Sequence, residues 1–508
     1  MLRGKNNDRP VVLSRFDLLD AQELMVHSCE DCACPVTSYE IDPLLADAVH
    51  AEPTDDIHQW VSGREVVEVE VDRENRALFN PVGHGGVVVV NHAAGQIYDS
   101  FRRSATFKEA RAAWPGDGED ADRVSRRLRG LELIHPADPA DQEPRFAFGV
   151  ERCATRTLTA WMHVTNACNL RCPYCYVSKS AEKMDEPVGQ AAVDAVVRSA
   201  VAHGFAAVKL KYAGGEASLS QLQMLRLHAR ARELTAASGL RLQATLLSNG
   251  VRLPRTLVET LRDEDIKVMI SLDGIGDQHD LQRPFASGKP TFHLVERTIA
   301  QLIEQNHAPH LSITITNRNA GGIADVVRFA LERDLTFSLN LFRDNDCAAS
   351  FPDLRYAEQC VTSALLEAFA VVEEFLPRWS VLGAVLDRGQ LVQPRQHACG
   401  VGQDYVVIDQ HGRVAKCHME IGKTLGDVFS DDPLLLVQHD KAFVQNLAVE
   451  EKEGCRDCSW RYWCSGGCPV ATFRATGRYD IKSPNCNIYK AIYPAALRLE
   501  AMRLLKYA

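Results

Sequence analysis

The sequence predicts an α/β protein: a parallel sheet with helices outside it, preceded by a small α+β unit and followed by a region organised by cysteines. Three observations carry this. Strand-like and helix-like segments alternate about six times between residues 155 and 390. Three strand patterns followed by three helix patterns occupy residues 57–137. Seven of the chain's sixteen cysteines lie beyond residue 391, six of them on apparent turns.

Residues 1–56 have little periodicity and contain Cys29, Cys32 and Cys34, so a loosely ordered tail is expected there. In residues 57–137, Glu65 to Val71 largely alternates charge and valine, the period of a half-buried strand. Leu78 to Pro81 and Val87 to Val90 read as two more strands around a glycine-bearing turn. Asn91 is a candidate N-cap for a helix reaching Phe101, and Thr106 with Glu109 forms a capping box for a second. Ala121 to Leu131 reads as a third helix, and a Pro- and Asp-rich linker runs from His135 to Glu143.

Residues 155–390 give strands at Leu158–Thr165, Ala206–Tyr212, Leu242–Leu247, Ile266–Leu272, His310–Thr316 and Thr336–Leu341. Helices at Val188–Ala202, Leu219–Ala237, Phe292–Gln305 and Ile323–Arg333 fall between them. This alternation implies a parallel sheet, doubly wound or closed as a barrel, with reactive groups at the C-terminal ends of its strands. Residues 391–508 offer two helices at most, as expected of a metal-organised domain.

The 508 residues are 46% hydrophobic and 24% charged, with a net charge of −10. That charge argues against nucleic acid as a partner, because neutralising phosphates needs a cationic surface. No apolar run is long enough to span a bilayer, and the N-terminal segment lacks a secretory signal, so a cytoplasmic protein is expected. In a reducing compartment clustered cysteines point to metal rather than disulfides. Cys153 reads as a core thiol.

Cys168, Cys172 and Cys175 follow the first strand of the core on one short loop. Three thiolates at this spacing can ligate three corners of a [4Fe–4S] cluster, leaving one iron open. Zinc is the alternative, although it prefers paired knuckles and a fourth ligand nearby. The motif C-x-x-x-C-x-aromatic-C, with Tyr174 as its aromatic, resembles the signature of the radical S-adenosylmethionine (SAM) superfamily. The resemblance implies a partial (β/α)6 barrel whose open iron chelates SAM. It also implies reductive cleavage to a 5′-deoxyadenosyl radical that abstracts hydrogen from an unactivated C–H bond. Further segments resemble the family in order. Gly214-Gly215-Glu216 follows the second strand, and there the carboxylate would accept from the SAM ammonium. Ser248 ends the third strand, and Ser271 and Asp273 end the fourth, where the family lines the SAM ribose and methionine. Arg283 resembles an arginine that pairs with the SAM carboxylate.

The C-terminal pattern Cys399-x12-Gly412-x4-Cys417, then Cys455-x2-Cys458-x5-Cys464-x3-Cys468, then Cys486, resembles the SPASM domain of peptide and protein maturases. Structural zinc ribbons are the alternative reading. The resemblance implies two auxiliary [4Fe–4S] clusters, hence three in all. Cys399, Cys417 and Cys468 would hold the first, and Cys455, Cys458, Cys464 and Cys486 the second. Two closed clusters need eight ligands and the pattern supplies seven. The first is therefore open to a substrate thiolate, or closed by a distant residue such as Cys347, Cys360 or a cysteine of the tail.

Phe79-Asn80-Pro81 and Val87 to Asn91 carry a likeness to the precursor-recognition element of ribosomally made, modified peptides, the small peptide chaperone of pyrroloquinoline quinone synthesis among them. It implies that a leader peptide adds as a strand to the sheet edge. A winged-helix-like domain used only for packing is the other reading. Together the resemblances imply a peptide maturase that forms an intrapeptide thioether, carbon–carbon or carbon–oxygen link, served by a reduced flavodoxin- or ferredoxin-type donor. The rivals are a formylglycine-generating sulfatase maturase, a peptide epimerase, and a non-catalytic peptide-binding or electron-transfer iron–sulfur protein.

Overall fold

The computed structural model describes residues 9–18, 56–138, 157–392, 394–429 and 431–508. The expectations for Cys29, Cys32, Cys34 and Cys153 lie outside the described residues. The N-terminal unit comprises β1 (Val12–Ser14), β2 (Trp60–Ser62), β3 (Val67–Glu70), β4 (Asn75–Phe79), β5 (Val87–Asn91), α1 (His92–Ser100), α2 (Phe107–Ala113), α3 (Gly118–Gly130) and β6 (Ile134–Pro136). Its main sheet is antiparallel in the order β1-β5-β4-β3, and β2 pairs with β6. The helix starts follow local chemistry. The Asn91 side chain accepts from the Ala94 N–H at 3.0 Å, and Thr106 and Glu109 make both bonds of the capping box. One expectation is corrected. Part of the supposed tail is an edge strand, with Val12, Leu13 and Ser14 opposite Val90, Val89 and Val88. Three residues are too few for periodicity to reveal.

The central sheet runs through β7 (Thr157–Thr165), α4 (Glu186–Ala202), β8 (Ala207–Gly214), α5 (Gln221–Ala237), β9 (Arg241–Ser248), α6 (Arg255–Asp263) and β10 (Ile266–Ser271). It continues with α7 (Asp277–Gln282), α8 (Phe292–Glu304), β11 (His310–Ile315), α9 (Ile323–Leu331), β12 (Phe337–Leu341) and α10 (Glu358–Phe375). Strands β7 to β12 are parallel and neighbour one another in chain order, consistent with the partial barrel expected of the family. Every residue of β7 is buried, as parallel strands covered on both faces require.

The C-terminal region adds β13 (Tyr405–Ile408), β14 (Arg413–Ala415), β15 (Thr424–Asp427), α11 (Pro433–His439), α12 (Arg461–Cys464), α13 (Pro469–Thr476) and α14 (Cys486–Tyr507). Strand β13 pairs parallel with β7, so one nine-stranded sheet crosses residue 391. Among the described residues the region holds four helices, not two at most. Two are of seven and four residues, too short to read, and Pro494 interrupts the sequence pattern of the 22-residue α14. It also has an apolar core: Ile488, Tyr489, Ile492, Tyr493 and Leu497 join the cluster beneath the central sheet. Strands β4 and β5 of the N-terminal sheet are largely buried on both faces. Ala77, Phe79, Val87 and Val89 share the core of α14, whereas Leu78, Val88, Val90 and Val12 pack on α1 to α3. Among the described residues no helix is long and apolar enough to cross a membrane.

Candidate functional site

The loop after β7 carries Cys168, Cys172 and Cys175, and the loop after β8 is clamped to it. The Gly215 N–H donates to the Thr165 carbonyl at 2.6 Å and the Glu216 N–H to the Ala167 carbonyl at 2.8 Å. A Cβ on Gly214 would lie 2.3 Å from the Thr165 oxygen. One on Gly215 would lie 2.3 Å from the Ala167 oxygen and 2.5 Å from that of Asn166. Only glycine lets the two loops approach so closely.

Glu216 is buried, and its carboxylate ties three segments together. It accepts from the Ser248 hydroxyl at 2.9 Å, the Asn249 N–H at 2.7 Å and the Ser218 N–H at 3.2 Å. A carboxylate has about four acceptor positions, so a further donor such as an ammonium remains accommodated. Asn249 donates to the Asn169 side chain at 2.7 Å, joining the third-strand loop to the cysteine loop. Asp273 is fully buried. One of its oxygens meets the Tyr174 hydroxyl and, at 3.3 Å, the Arg283 guanidinium; the other accepts from the Thr314 N–H at 2.8 Å. Arg283 also donates to the Tyr174 oxygen. Tyr174, Asp273 and Arg283 therefore form one buried constellation. Ser271 closes β10 in register with Ser312 and is half-buried.

Burial pushes the Cys172 thiol up to about 12, and the Arg283 charge pulls it the other way. Burial raises Cys168 as well. The charges of Cys168 and Cys175 both reach Cys172, which places the three together. Lys179 donates to the Cys175 sulfur at 3.1 Å, and the Leu170 N–H lies 3.4 Å from that of Cys168. Burial depresses the Lys179 ammonium, yet the thiolate charges of Cys175 and Cys168 outweigh it and raise it overall. This donor set fits a cluster bearing thiolates. The Arg283 Nε and His279 Nε2 are buried without a hydrogen-bond partner beside it, as a site for a polar ligand requires. Among the described residues no three His, Cys, Asp or Glu converge on one point as a lone ion needs.

The C-terminal cysteines form two groups. Burial pushes Cys417 up to about 12, with the charges of Cys468 and Cys399 adding to it. Burial also raises Cys455 to about 11 and Cys464 to about 12, and both feel Cys458 and Cys486. Ser465, Gly466 and Gly467 have φ of 48°, 74° and 70°, and this left-handed run reverses the chain between Cys464 of one group and Cys468 of the other. The Arg343 Nε donates to the Cys468 sulfur at 3.2 Å. Burial alone would raise Cys468; Arg343 and Arg388 reverse the sign and lower it. Lys452 is buried, bonds the Ser465 carbonyl at 2.9 Å and feels cysteines of both groups. Cys347 is exposed and faces the Tyr176 carbonyl at 3.6 Å, and Cys360 is exposed on the first turn of α10. Between the first motif and the C-terminal group lie Tyr176, whose charge neighbours include Cys175 and Cys417, and His418, which stacks on Trp161 at 4.5 Å. Asn249 was read only as part of the segment Ser248-Asn249-Gly250 that ends the third strand, and sequence reasoning missed Lys179, Arg343, Lys452, Tyr176 and His418. Only the last two carried a signal, each being adjacent to a cluster-motif cysteine.

Residues 162–330 match the model of the Radical SAM superfamily. The sporulation killing factor maturation protein SkfB of Bacillus subtilis (strain 168) is 33% identical over 172 residues, 34% of this chain and 38% of SkfB. The mycofactocin maturase MftC of Mycolicibacterium smegmatis is 24% identical over 360 residues, 68% of this chain and 86% of MftC. The structure of native anSMEcpe with bound AdoMet and the Cp18Cys peptide has a TM-score of 0.55 at 20% identity, covering 68% of this chain and 99% of that one. That likeness concerns the fold. The cysteine loop and the glycine clamp both lie within the segment that matches the Radical SAM superfamily, and the chain is similar to maturases of the SkfB and MftC kind.

Proposed function

We propose that the chain is a radical SAM peptide maturase that forms a cross-link within a ribosomally made precursor. The observation that carries this is the cysteine loop after β7, clamped by Gly214 and Gly215 and backed by the buried Tyr174–Asp273–Arg283 constellation. Cys168, Cys172 and Cys175 would hold the radical cluster. Glu216 and Ser248 would face the amino group of SAM, and Arg283 its carboxylate through the Nε that has no protein partner. When bound and reduced, the cluster supplies the 5′-deoxyadenosyl radical from SAM that removes a hydrogen atom from the peptide. Cys399, Cys417 and Cys468 on one side, and Cys455, Cys458, Cys464 and Cys486 on the other, would hold two auxiliary clusters that take up the electron the peptide radical must lose. The antiparallel N-terminal unit is assigned as the leader-binding, winged-helix-like domain, because its β-edge suits a peptide strand. The names of SkfB and MftC, both maturation proteins, support the peptide substrate.

The test is anaerobic incubation of reconstituted, reduced protein with SAM and the precursor peptide encoded beside it. Deoxyadenosine and a product lighter by two hydrogens are expected, and both vanish in Cys168→Ala, Cys172→Ala and Cys175→Ala. An unchanged mass with deuterium taken from solvent would move the reading to epimerisation. Cluster-loaded wild type that releases no deoxyadenosine would refute the enzyme reading.

A further inference from the structure

Strand β5 would have a free edge were it not for the chain's own residues 9–18. Val12 lies opposite Val90 and buries its side chain with Leu78, Val88 and Val90 against the helices. The Asn91 N–H donates to the Val11 carbonyl at 3.2 Å, so by antiparallel alternation Leu13 and Val89 are the next hydrogen-bonded pair. The Asn91 amide clamps the start of the segment, donating to the Arg9 carbonyl at 2.9 Å and accepting from the Val11 N–H at 3.0 Å.

Helix α3 forms the other wall and reads the segment's polarity. Arg9 meets Asp120 at 3.4 Å, and Arg123 donates to the Pro10 carbonyl at 3.0 Å. Further along, Arg127 pairs with Asp17, whose carboxylate also accepts from the Ser14 N–H at 2.7 Å. An acid at one end of the groove and a guanidinium at the other fix the direction of the strand that enters. The opposite edge of the sheet is a poor acceptor. β3 presents Glu68, paired with Arg76 and Arg102, and charged edges discourage strand addition.

We propose that the groove between β5 and α3 is a strand-binding site which Arg9–Leu18 hold as a displaceable internal occupant. The partner that replaces them is an extended peptide of the pattern Arg-x-x-Val-x-Ser-x-x-Asp, the pattern of Arg9, Val12, Ser14 and Asp17. The proposal rests on the peptide-maturase reading only in naming the precursor's leader as that peptide. Displacement is feasible because the occupant's pairing ends at Ser14 opposite Val88, and a longer strand continues the ladder to Val87. It also has a reach beyond the groove. Arg15 donates to the His84 carbonyl at 3.0 Å and to the Val392 carbonyl at 3.1 Å, bridging the N-terminal unit to the start of the cysteine-rich region. Replacing the occupant removes that bridge.

The test uses the full chain without SAM or precursor, and a fluorescein-labelled synthetic peptide of residues 7–20. In the full-length Val12→Asp variant the buried carboxylate expels the occupant. That variant is expected to bind the labelled peptide at least tenfold more tightly than wild type by anisotropy. The same peptide carrying Val12→Asp, or Arg9→Glu with Asp17→Lys, is expected to bind neither. In wild type, saturating unlabelled peptide should speed hydrogen exchange at the chain's Leu13 amide and leave Val89 protected. Equal binding by both chains, or Leu13 exchange indifferent to peptide, would make β1 a fixed part of the fold and overturn the proposal. The exchange measurement decides the matter if Val12→Asp does not fold. Neither readout involves deoxyadenosine, so failure here leaves the catalytic reading standing, and the converse holds.

Discussion

At Gly215 the geometry leaves no room for compromise. The atoms a Cβ would strike are the backbone oxygens of Ala167 and Asn166, which cannot rotate away as a side chain can. Gly215→Ala must therefore push the β8 loop off the cysteine loop and carry Glu216 with it. We expect SAM affinity to fall at least tenfold, about 1.4 kcal/mol, as measured by equilibrium dialysis on cluster-loaded protein. Unchanged affinity would mean that the clamp does not shape the SAM site. Arg343 offers a second test. Its guanidinium touches the Cys468 sulfur and pairs with the buried Asp387, which also accepts from the Tyr489 hydroxyl at 3.2 Å. A cation beside a cluster ligand favours the reduced cluster. Arg343→Gln removes it and leaves the Asp387 charge behind. The potential of the cluster proposed on Cys468 should move negative by tens of millivolts, corresponding to about 2 kcal/mol at an effective dielectric near ~20. A redox titration followed by electron paramagnetic resonance reads this. The cluster proposed on Cys455, Cys458, Cys464 and Cys486 should keep its potential, and a shift of both or of neither would sink the argument.

Among the elements, the β4–β5 face that meets the cysteine-rich region has the clearest energetic content. Phe79 is fully buried, 4.9 Å from the Trp463 ring and 5.8 Å from that of Trp460, while the Trp463 indole donates to the Pro81 carbonyl at 2.6 Å. Those tryptophans lie between Cys458 and Cys464, so the N-terminal sheet packs directly on a cysteine loop. Phe79→Ala should cost about 3–5 kcal/mol, read as a lower urea midpoint together with altered tryptophan emission. A stability change without an emission change would place the lost packing elsewhere. The same elements explain what the sequence disclosed. The six core strands were legible because each is a short, apolar-rich stretch that alternates with helical patterns, and they fall within about two residues of their predicted limits. The capped helices α1 and α2 were legible from Asn91 and from Thr106 with Glu109. Strands β1, β2 and β6 escaped because each has three residues and is defined only by its partner. The cysteine groups were legible because ligand spacing is local. The contacts of Asn249 with Asn169 across 80 residues and of Arg343 with Cys468 across 125 were not, because nothing nearby in sequence marks a contact made by the fold.

For the whole molecule the decisive fact is the continuity of the sheet. Val406, Val407 and Ile408 of β13 lie in register with Ala160, Trp161 and Met162 of β7, and β7 is also the strand that leads into the first cysteine motif. One central strand is thus shared by the parallel core and the cysteine-rich region. On its far side the long α14 joins the N-terminal sheet to the same apolar core. Regions coupled through a central strand and a common core unfold together, because freeing one face of β7 strands its backbone groups on the other. On the proposed reading, the cysteine-rich region would owe part of its folding free energy to metal, since burial raises its thiols, to about 12 at Cys417 and Cys464, and thiolates there need compensating charge. Stripping iron with a chelator under reducing conditions should therefore weaken the entire assembly rather than one end of it. Calorimetry is expected to give a single transition at a melting temperature lower by at least several degrees. Hydrogen exchange should speed up at Ala160 to Met162 as well as around the C-terminal cysteines. Two separate transitions, with the β7 amides as protected as in the cluster-loaded protein, would instead mean that the shared strand does not transmit the loss.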